Sequence, residues 1–178
     1  MVHQRSLASF KTPLGWAGVA ATEEGVCLVV LPRRTKQAVE AELNGSEPGV
    51  RRSECGTSAS QARLEKAISF LQRYFSGKPV HVGLALDLRD HTVFQQAVWK
   101  AASDIPYGET RSYVWVAQRI KNPGAVRAVG RALGANPVPV LVPCHRVITA
   151  SGALGGFSGG RGMKERLLML ERHDNKRR

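Results

Sequence analysis

The sequence lacks the features that mark membrane, secreted and disulfide-rich proteins. It has no apolar run of 18 residues, which excludes an ordinary membrane-spanning helix. Its first residues lack the apolar core of a signal peptide, so we expect an intracellular protein, cytoplasmic or, in a eukaryote, nuclear. Only three of the 178 residues are cysteine, and they lie far apart. An odd number without a CxxC pair predicts no disulfide framework.

A structural zinc site is not expected either. The residues that could be imagined as ligands are His3, Cys27, Cys55 and His81. Their spacing fits no pattern that is typical of zinc-binding proteins. We therefore predict that the chain holds no metal ion.

Acidic residues are scarce relative to basic ones. There are 14 Asp and Glu against 26 Lys and Arg, which gives a formal charge of +12 at pH 7. The excess is larger in residues 90–178, with 14 basic and 6 acidic residues, than in residues 1–89, with 12 and 8. This surplus favours a polyanionic partner. A solubilising surface is the competing interpretation, and charge alone leaves the two about equal.

Two different patterns divide the chain near residue 90. Residues 1–89 predict a small α/β domain. Its predicted strands cover Leu7–Phe10, Gly15–Ala21 and Val26–Leu31, and a short helix covers Thr35–Leu43. A loop over Ser46–Ser58 follows, and then an amphipathic helix with apolar residues at helical spacing from Leu64 to Phe75, which Gly77 closes. The apolar alternation from Val80 to Leu88 indicates a half-buried strand or an extended linker. We find no catalytic constellation in this half and expect it to have a structural role.

Residues 90–178 are predicted to be mainly helical. Thr92 and Gln95 form a capping box before the first helix of this half. The predicted helices cover Phe94–Ser103, Tyr113–Ile120 with Ser112 as its cap, a segment from Asn122-Pro123 to about Leu133 with Asn122 as its cap, and Met163–Glu171. The second domain is therefore placed at residues 90–178.

The two middle helices are joined by a very short turn, as in a helix-turn-helix. The second of them has an apolar side that we expect to be buried, formed by Val126, Val129 and Leu133. Arg127 and Arg131, four residues apart, lie together on the other side. Ala128 and Gly130 keep this helix slim enough to approach nucleic acid closely. A helix pair that only packs is about equally compatible with this pattern.

The most informative segment is Pro143-Cys144-His145-Arg146, which follows the apolar, proline-punctuated run Asn136–Val142. Such a run is typical of a buried extended segment, where a cysteine is normally inert. The adjacent histidine and arginine favour the thiolate, which is the nucleophilic form. In an extended backbone the side chains of Cys144 and His145 point to opposite faces, so we expect a bridging water rather than direct contact.

The stretch Asn136–Val147 resembles the active-site signature of the O6-alkylguanine-DNA alkyltransferases, and the similarity extends from about Phe94 to Glu171. The resemblance implies an α/β (α+β) protein, with a small RNase H-like N-terminal domain and a helical C-terminal domain that carries a helix-turn-helix of winged-helix type. It also implies a single-turnover repair reaction. O6-alkylguanine, and also O4-alkylthymine, is flipped out of duplex DNA and its alkyl group moves irreversibly to Cys144.

The resemblance further implies a monomer that binds double-stranded DNA through the minor groove and needs no cofactor. Arg127 then occupies the space that the flipped nucleotide leaves, since a planar guanidinium can stack on bases. Arg131 contacts a phosphate, which positions the protein without reading the sequence. Ala128 and Gly130 allow the close approach.

Catalytic roles follow from the same resemblance. Cys144 is the nucleophile, linked through water to His145, which Glu171 orients. Tyr113 donates a proton or hydrogen bond to guanine N3, and Asn136 braces the active-site turn by bonding backbone groups. Without the resemblance, Glu171 would be interpreted as a solvated helix charge, His145 as a core histidine and Tyr113 as a core tyrosine.

The implied substrate pocket involves five further residues. Pro139 and Val147 line it, and the carbonyl of Val147 accepts from the guanine amino group. The backbone amide of Ser158 donates to O6, in a glycine-rich loop. Phe157 stands where many relatives have tyrosine, so an aromatic wall is kept and a hydroxyl is lost. Gly159 leaves room for adducts larger than methyl.

Three other functions stay open at this point. A non-catalytic protein that recognises alkylated DNA would lack the reactive cysteine, and Cys144 argues against it. A DNA-binding regulator would need side chains that read base edges, and the slim second helix offers few. A Cys-His hydrolase would need both side chains within hydrogen-bond reach of each other.

Overall fold

The chain forms two compact units, Met1–Leu88 and Arg89–Arg178. The computed structural model describes residues 5–45, 57–78, 80 and 83–175. Its elements are β1 Ser6–Thr12, β2 Gly15–Ala21, β3 Val26–Arg33, α1 Lys36–Gly45, α2 Ser58–Phe75, α3 Val93–Ser103, β4 Arg111–Ser112, α4 Tyr113–Arg119, α5 Val126–Gly134, β5 Val147–Ile148 and α6 Arg161–Asn175. This confirms the predicted mixed α/β class.

Some predictions fall on residues that the structure does not describe. They include His3, Cys55 and His81, which are three of the four imagined zinc ligands, and most of the predicted loop Ser46–Ser58. Within the described residues, no group of three or more His, Cys, Asp or Glu side chains is placed to hold a metal ion. In the same residues, no helix is both long and apolar enough to cross a membrane.

The first unit is built on an antiparallel sheet in the order β1-β2-β3. Helix α1 packs closely on it because β2 has a glycine at the contact. A Cβ atom added to Gly18 would lie 2.6 Å from Cγ1 of Val39 and 2.9 Å from Cδ1 of Leu43, closer than atoms can pack. Val39 and Leu43 are buried there with Val30 of β3.

Helix α2 begins at a cap and buries one apolar side. The hydroxyl of Thr57 accepts a hydrogen bond from the backbone N–H of Ser60, at 3.3 Å. The buried residues Leu64, Ala67, Leu71 and Phe75 follow the predicted helical spacing.

The segment that follows α2 is extended where it is described. Leu86 forms an isolated parallel bridge with Val26 of β3, through hydrogen bonds of 2.9 Å on either side of it. One bridge is not a regular strand, so the alternation before residue 89 corresponds to an extended segment that touches the edge of the sheet.

The second unit is held together around α3. Thr92 and Gln95 form the predicted capping box at its start. Trp99 is fully buried, and its indole N–H donates to the carbonyl of Ala132 in α5 at 2.8 Å. Because this bond satisfies the polar atom of a large buried ring, it fixes α3 against α5.

The connection between α4 and α5 differs in detail from the prediction. Asn122 was expected to cap the second helix, but its side chain makes no cap hydrogen bond. The chain turns at Lys121, which has a left-handed φ of 57°, and passes through a 3-10 turn over Pro123–Ala125. Helix α5 therefore starts three residues later than the proline suggested.

A short parallel ladder brings the start of α4 beside the cysteine segment. Arg111 of β4 pairs with Val147 of β5, and Ser112 pairs with Ile148. Since Ser112 is also the N-cap of α4, Tyr113 follows directly. The ladder thus places Tyr113 next to the residues that come after Cys144.

Candidate active site around Cys144

Cys144 lies in a tight turn rather than in an extended strand. Residues Cys144–Arg146 form a 3-10 turn, closed by a bond of 2.9 Å from the N–H of Arg146 to the carbonyl of Pro143. The expected alternation of Cys144 and His145 across an extended backbone is therefore wrong. Cys144 is 3% exposed and His145 is fully buried.

Asn136 clamps this turn from the side. Its Nδ2 donates to the carbonyl of Val142 at 2.9 Å and lies 3.0 Å from Sγ of Cys144, while its Oδ1 accepts from the N–H of Val138 at 3.0 Å. Between these points, Val140 has a φ of 76°, a conformation that costs energy for a β-branched residue. The hydrogen bonds of Asn136 hold the strained loop in place and fix the position of the Cys144 sulfur.

The imidazole of His145 is bonded to a carboxylate. Nε2 of His145 lies 2.7 Å from Oε1 of Glu171, and both side chains are fully buried. Arg146 donates to both oxygens of the same carboxylate, at 2.9 Å each, and the backbone N–H of Gly108 adds a bond of 3.0 Å. Glu171 is therefore a buried anion that accepts from three residues, not a solvated helix charge.

These contacts decide the protonation states. Burial alone would raise the pKa of Glu171, but the hydrogen bonds and charges of His145 and Arg146 outweigh it and lower that pKa to about 2. Burial lowers the pKa of His145, against the effect of Glu171. At neutral pH the carboxylate is ionised and the imidazole is neutral. An ionised carboxylate can only accept, so Nε2 carries the proton and Nδ1 is the basic atom.

The sulfur itself is a thiol in the resting protein. Burial raises the pKa of Cys144 to about 11, although the Asn136 hydrogen bond and the charge of Lys164 oppose the rise. The expectation that the neighbouring His145 and Arg146 favour the thiolate is therefore wrong. Both side chains are turned toward Glu171, and desolvation outweighs the remaining favourable contacts.

Lys164 is the site residue that sequence reasoning missed. It lies in the first turn of α6, is fully buried, and donates from Nζ to the carbonyl of Val147 at 2.6 Å. A signal was present in the sequence. The buried side of α6 is formed by Lys164, Leu167, Leu168 and Glu171, so two charged residues seven positions apart share a face that should be apolar.

Tyr113 is half-buried at the start of α4, beside the glycine-rich loop. Its hydroxyl makes a long hydrogen bond of 3.5 Å to the carbonyl of Gly156. Gly155 has a φ of 68°, and a Cβ atom there would lie 2.8 Å from the Tyr113 oxygen. The loop can approach Tyr113 because position 155 has no side chain.

The five residues expected to form the pocket differ in exposure. Pro139 and Val147 are buried, Phe157 and Gly159 are half-buried, and Ser158 is exposed. The carbonyl of Val147, expected to face a guanine amino group, accepts from the ammonium of Lys164 in this structure.

Helix α5 presents its arginines outward. Arg127 and Arg131 are exposed, while Val129 and Leu133 are buried as predicted and Val126 is half-buried. Ala128 is half-buried. Gly130 faces inward, because a Cβ atom there would lie 3.8 Å from the Tyr113 ring. A side chain at position 130 would thus meet Tyr113 at an ordinary contact distance.

Fold and site together define a mixed α/β protein in which a buried cysteine shares a turn with a neutral imidazole that is paired with a carboxylate. The family model described as "6-O-methylguanine DNA methyltransferase, DNA binding domain" matches residues 93–173. A methylated-DNA–protein-cysteine methyltransferase from Methanosarcina acetivorans is 40% identical over 166 residues, which are 92% of this chain and 96% of that protein. The chain belongs to the O6-methylguanine DNA methyltransferase family.

Two further comparisons show how much of the chain is similar to other proteins. A methylated-DNA–protein-cysteine methyltransferase from Mycobacterium bovis is 55% identical over 106 residues, and this match spans 60% of the chain and 64% of the relative. The crystal structure of Mycobacterium tuberculosis OGT in complex with DNA is 36% identical, with a TM-score of 0.73, over 94% of this chain and 92% of that one. The high identity is thus concentrated in part of the chain, whereas the fold is shared over nearly all of it.

Proposed function

We propose that this protein repairs alkylated DNA by moving an alkyl group from O6 of guanine to Sγ of Cys144, once per molecule. The observation that carries the proposal is the 2.7 Å contact between His145 and Glu171, with His145 next to Cys144 in the same 3-10 turn, in a chain of this family. Residues 90–178 bind the DNA and perform the transfer, and residues 1–89 have a structural role.

The reaction begins with removal of the thiol proton. Because Nε2 of His145 is bonded to Glu171, a proton that leaves Cys144 arrives at Nδ1 through a bridging water. Glu171 then stabilises the imidazolium without itself becoming protonated, since Arg146 holds its pKa low. This is general-base activation of a nucleophile that is buried and neutral at rest.

The transfer conserves atoms and charge. A lone pair of the Cys144 sulfur forms the new S–C bond, the C–O6 bond breaks, and its electron pair stays on the guanine. Tyr113 donates its hydroxyl proton to the guanine ring, so the immediate products are a thioether, neutral guanine, a tyrosinate at Tyr113 and an imidazolium at His145. The proton that left the thiol then passes from His145 to Tyr113 through solvent, which restores both side chains. A thioether takes no part in thiol–disulfide exchange, so the protein is consumed.

The substrate must leave the base stack before the buried sulfur can reach it. We infer that α5 enters the minor groove of duplex DNA and that the protein, as a monomer, flips O6-alkylguanine, or O4-alkylthymine, into the site. Arg127 fills the vacated space and Arg131 contacts a phosphate. Their exposure on one side of α5 supports this assignment.

A mass measurement tests the transfer directly. The protein is incubated with an excess of a duplex oligonucleotide that carries one O6-methylguanine, and its intact mass is followed with time. We expect the gain of one methyl group per molecule, located on Cys144 by peptide mapping. Binding to the oligonucleotide without a mass gain would contradict the proposal and favour a non-catalytic protein that recognises alkylated DNA.

We expect Arg127→Ala to slow repair of duplex DNA at least tenfold and to change the reaction with free O6-benzylguanine less than twofold. Base flipping costs a few kcal/mol, and loss of the residue that fills the vacated stack leaves that cost uncompensated. Free O6-benzylguanine needs no flipping.

The control for this experiment is Arg73→Ala, which removes an exposed arginine from α2 and should leave both rates unchanged. Equal losses on duplex and free base in the Arg127 variant would contradict the role assigned to this residue.

A further inference from the structure

A fully buried lysine lies at the wrong end of a helix. Lys164 is in the first turn of α6, where the helix dipole disfavours positive charge, and its side chain is removed from water. A buried ammonium is costly unless something compensates it. The sequence therefore keeps a charge at a position where leucine or methionine would pack more favourably.

The compensation that the structure provides is incomplete. Among the described residues, Nζ of Lys164 makes one hydrogen bond, to the carbonyl of Val147, and no carboxylate lies within 4.0 Å of it. The carboxylate at the other end of the same helix face, Glu171, is two turns away, about 10 Å along the axis. It is occupied by His145 and Arg146.

The charge of Lys164 lowers the pKa of both Cys144 and His145. Its interaction with Cys144 is favourable, because each of these two side chains favours the charged form of the other. Tyr113 lies on the same side, with its ring centroid 5.9 Å from Nζ. The bond to Val147, three residues after Cys144, fixes the ammonium relative to the cysteine turn.

We propose that Lys164 is the positioning cation of the site: its ammonium neutralises the sulfur anion as it forms on Cys144, while its bond to Val147 holds the peptide that follows the turn. The proposal rests on the function proposed for Cys144. In this arrangement α6 supplies both charges that the reaction needs, Glu171 behind the base and Lys164 beside the nucleophile.

The arrangement has a characteristic pH dependence. Burial lowers the pKa of Lys164 to about 8, and the charge of Cys144 opposes that shift. The ammonium, and with it the stabilisation of the thiolate, is present below that pH and is lost above it. Among the other groups around the sulfur, burial raises the pKa of Tyr113 and lowers that of His145, and Glu171, with a pKa of about 2, stays ionised throughout this pH range.

The test measures the rate at which iodoacetamide alkylates Cys144 between pH 7 and 10, in the full chain without DNA, with the modified residue assigned by peptide mapping. In the wild type we expect the logarithm of the rate to rise with pH and to flatten above about pH 8. In Lys164→Met, Cys144 should react at least tenfold more slowly at pH 7, and the logarithm of its rate should rise with pH without a bend. The ratio of the wild-type rate to the variant rate should therefore fall toward one at high pH.

Two further variants separate charge from packing. Lys164→Arg keeps a charge that does not titrate in this range, so the bend should disappear while the rate at pH 7 stays within about threefold of the wild type. Lys100→Met removes an exposed lysine from α3 and should reproduce the wild-type profile.

The proposal is overturned if the wild type and Lys164→Met give the same profile, or if the variant is slower by one constant factor at every pH. Because iodoacetamide needs neither DNA nor base flipping, this result does not depend on the repair assay. If the protein did not demethylate DNA, the proposed function would be overturned. The presence or absence of a bend near pH 8 in the iodoacetamide profile would still decide whether Lys164 stabilises the thiolate of Cys144.

Discussion

Replacing Glu171 with glutamine is expected to lower the free energy of unfolding by about 3–5 kcal/mol and the rate of alkyl transfer by about 10²–10⁴-fold. The stability loss arises because Arg146, which is 8% exposed, would keep its charge without its carboxylate partner. The rate loss arises because His145 would no longer be held in the tautomer that accepts a proton at Nδ1. Urea unfolding and single-turnover kinetics measure the two effects.

Glu165→Gln is the matched control for this prediction. It makes the same chemical change on the same helix, six residues earlier, at an exposed position. Such a substitution should alter stability by less than about 0.5 kcal/mol. If Glu171→Gln behaved like Glu165→Gln, the buried carboxylate could not be the group that holds His145 and Arg146.

Acid unfolding independently measures how much the ionised carboxylate of Glu171 contributes to stability. The pKa of Glu171 is about 2 in the folded protein, against an ordinary value of 4.5 in the unfolded chain. Its contribution to stability is therefore complete above the unfolded value and is lost as the pH falls toward the folded one. The wild type should lose stability between about pH 4.5 and 2 more steeply than Glu171→Gln, which has no carboxyl to protonate there.

Much of the local structure could be predicted because the signals lie close together in the sequence. The capping box at Thr92, the three strands of the first unit and the buried side of α2 each depend on residues within one element. The turn before α5 was predicted incorrectly. Asn122 carries a good capping side chain, but the N–H of Ala125 bonds to the backbone carbonyl of Asn122, at 3.0 Å, within the 3-10 turn.

The sequence pointed to some residues of the candidate site but not to Lys164 or to the electrostatics. Cys144, His145 and Glu171 were identified from a motif and a resemblance. Which charge faces which group depends on the fold. Arg146, two residues after Cys144, bonds to Glu171, while Lys164, twenty residues after Cys144, bonds to the carbonyl of Val147 and lowers the pKa of Cys144. The position of Arg146 close to Cys144 in the sequence predicted an effect of its charge on the sulfur that the fold does not provide. The distance of Lys164 from Cys144 in the sequence offered no indication that these two residues interact.

Replacing Cys144 with serine should abolish alkyl transfer to the protein while leaving its affinity for alkylated duplex DNA within about threefold of the wild type. A serine hydroxyl is a far weaker acid than even this raised thiol, so the base at His145 cannot produce a useful anion from it. DNA contacts are assigned to the exposed arginines of α5, which the change does not touch. Intact mass after incubation and fluorescence anisotropy with a labelled duplex measure the two properties.

Cys27→Ser serves as the control, because Cys27 is the other cysteine among the described residues and lies in β3 of the first unit. It should keep full transfer. If Cys144→Ser also lost its DNA affinity, the buried turn would have to support the DNA-binding surface, and chemistry and binding could not be separated as proposed. If it still gained a methyl group, the acceptor would be another residue. Retained binding without transfer would instead leave a protein that holds its lesion and cannot repair it, which is the behaviour of a pure recognition protein. The sulfur atom would then be the difference between the two functions on one fold.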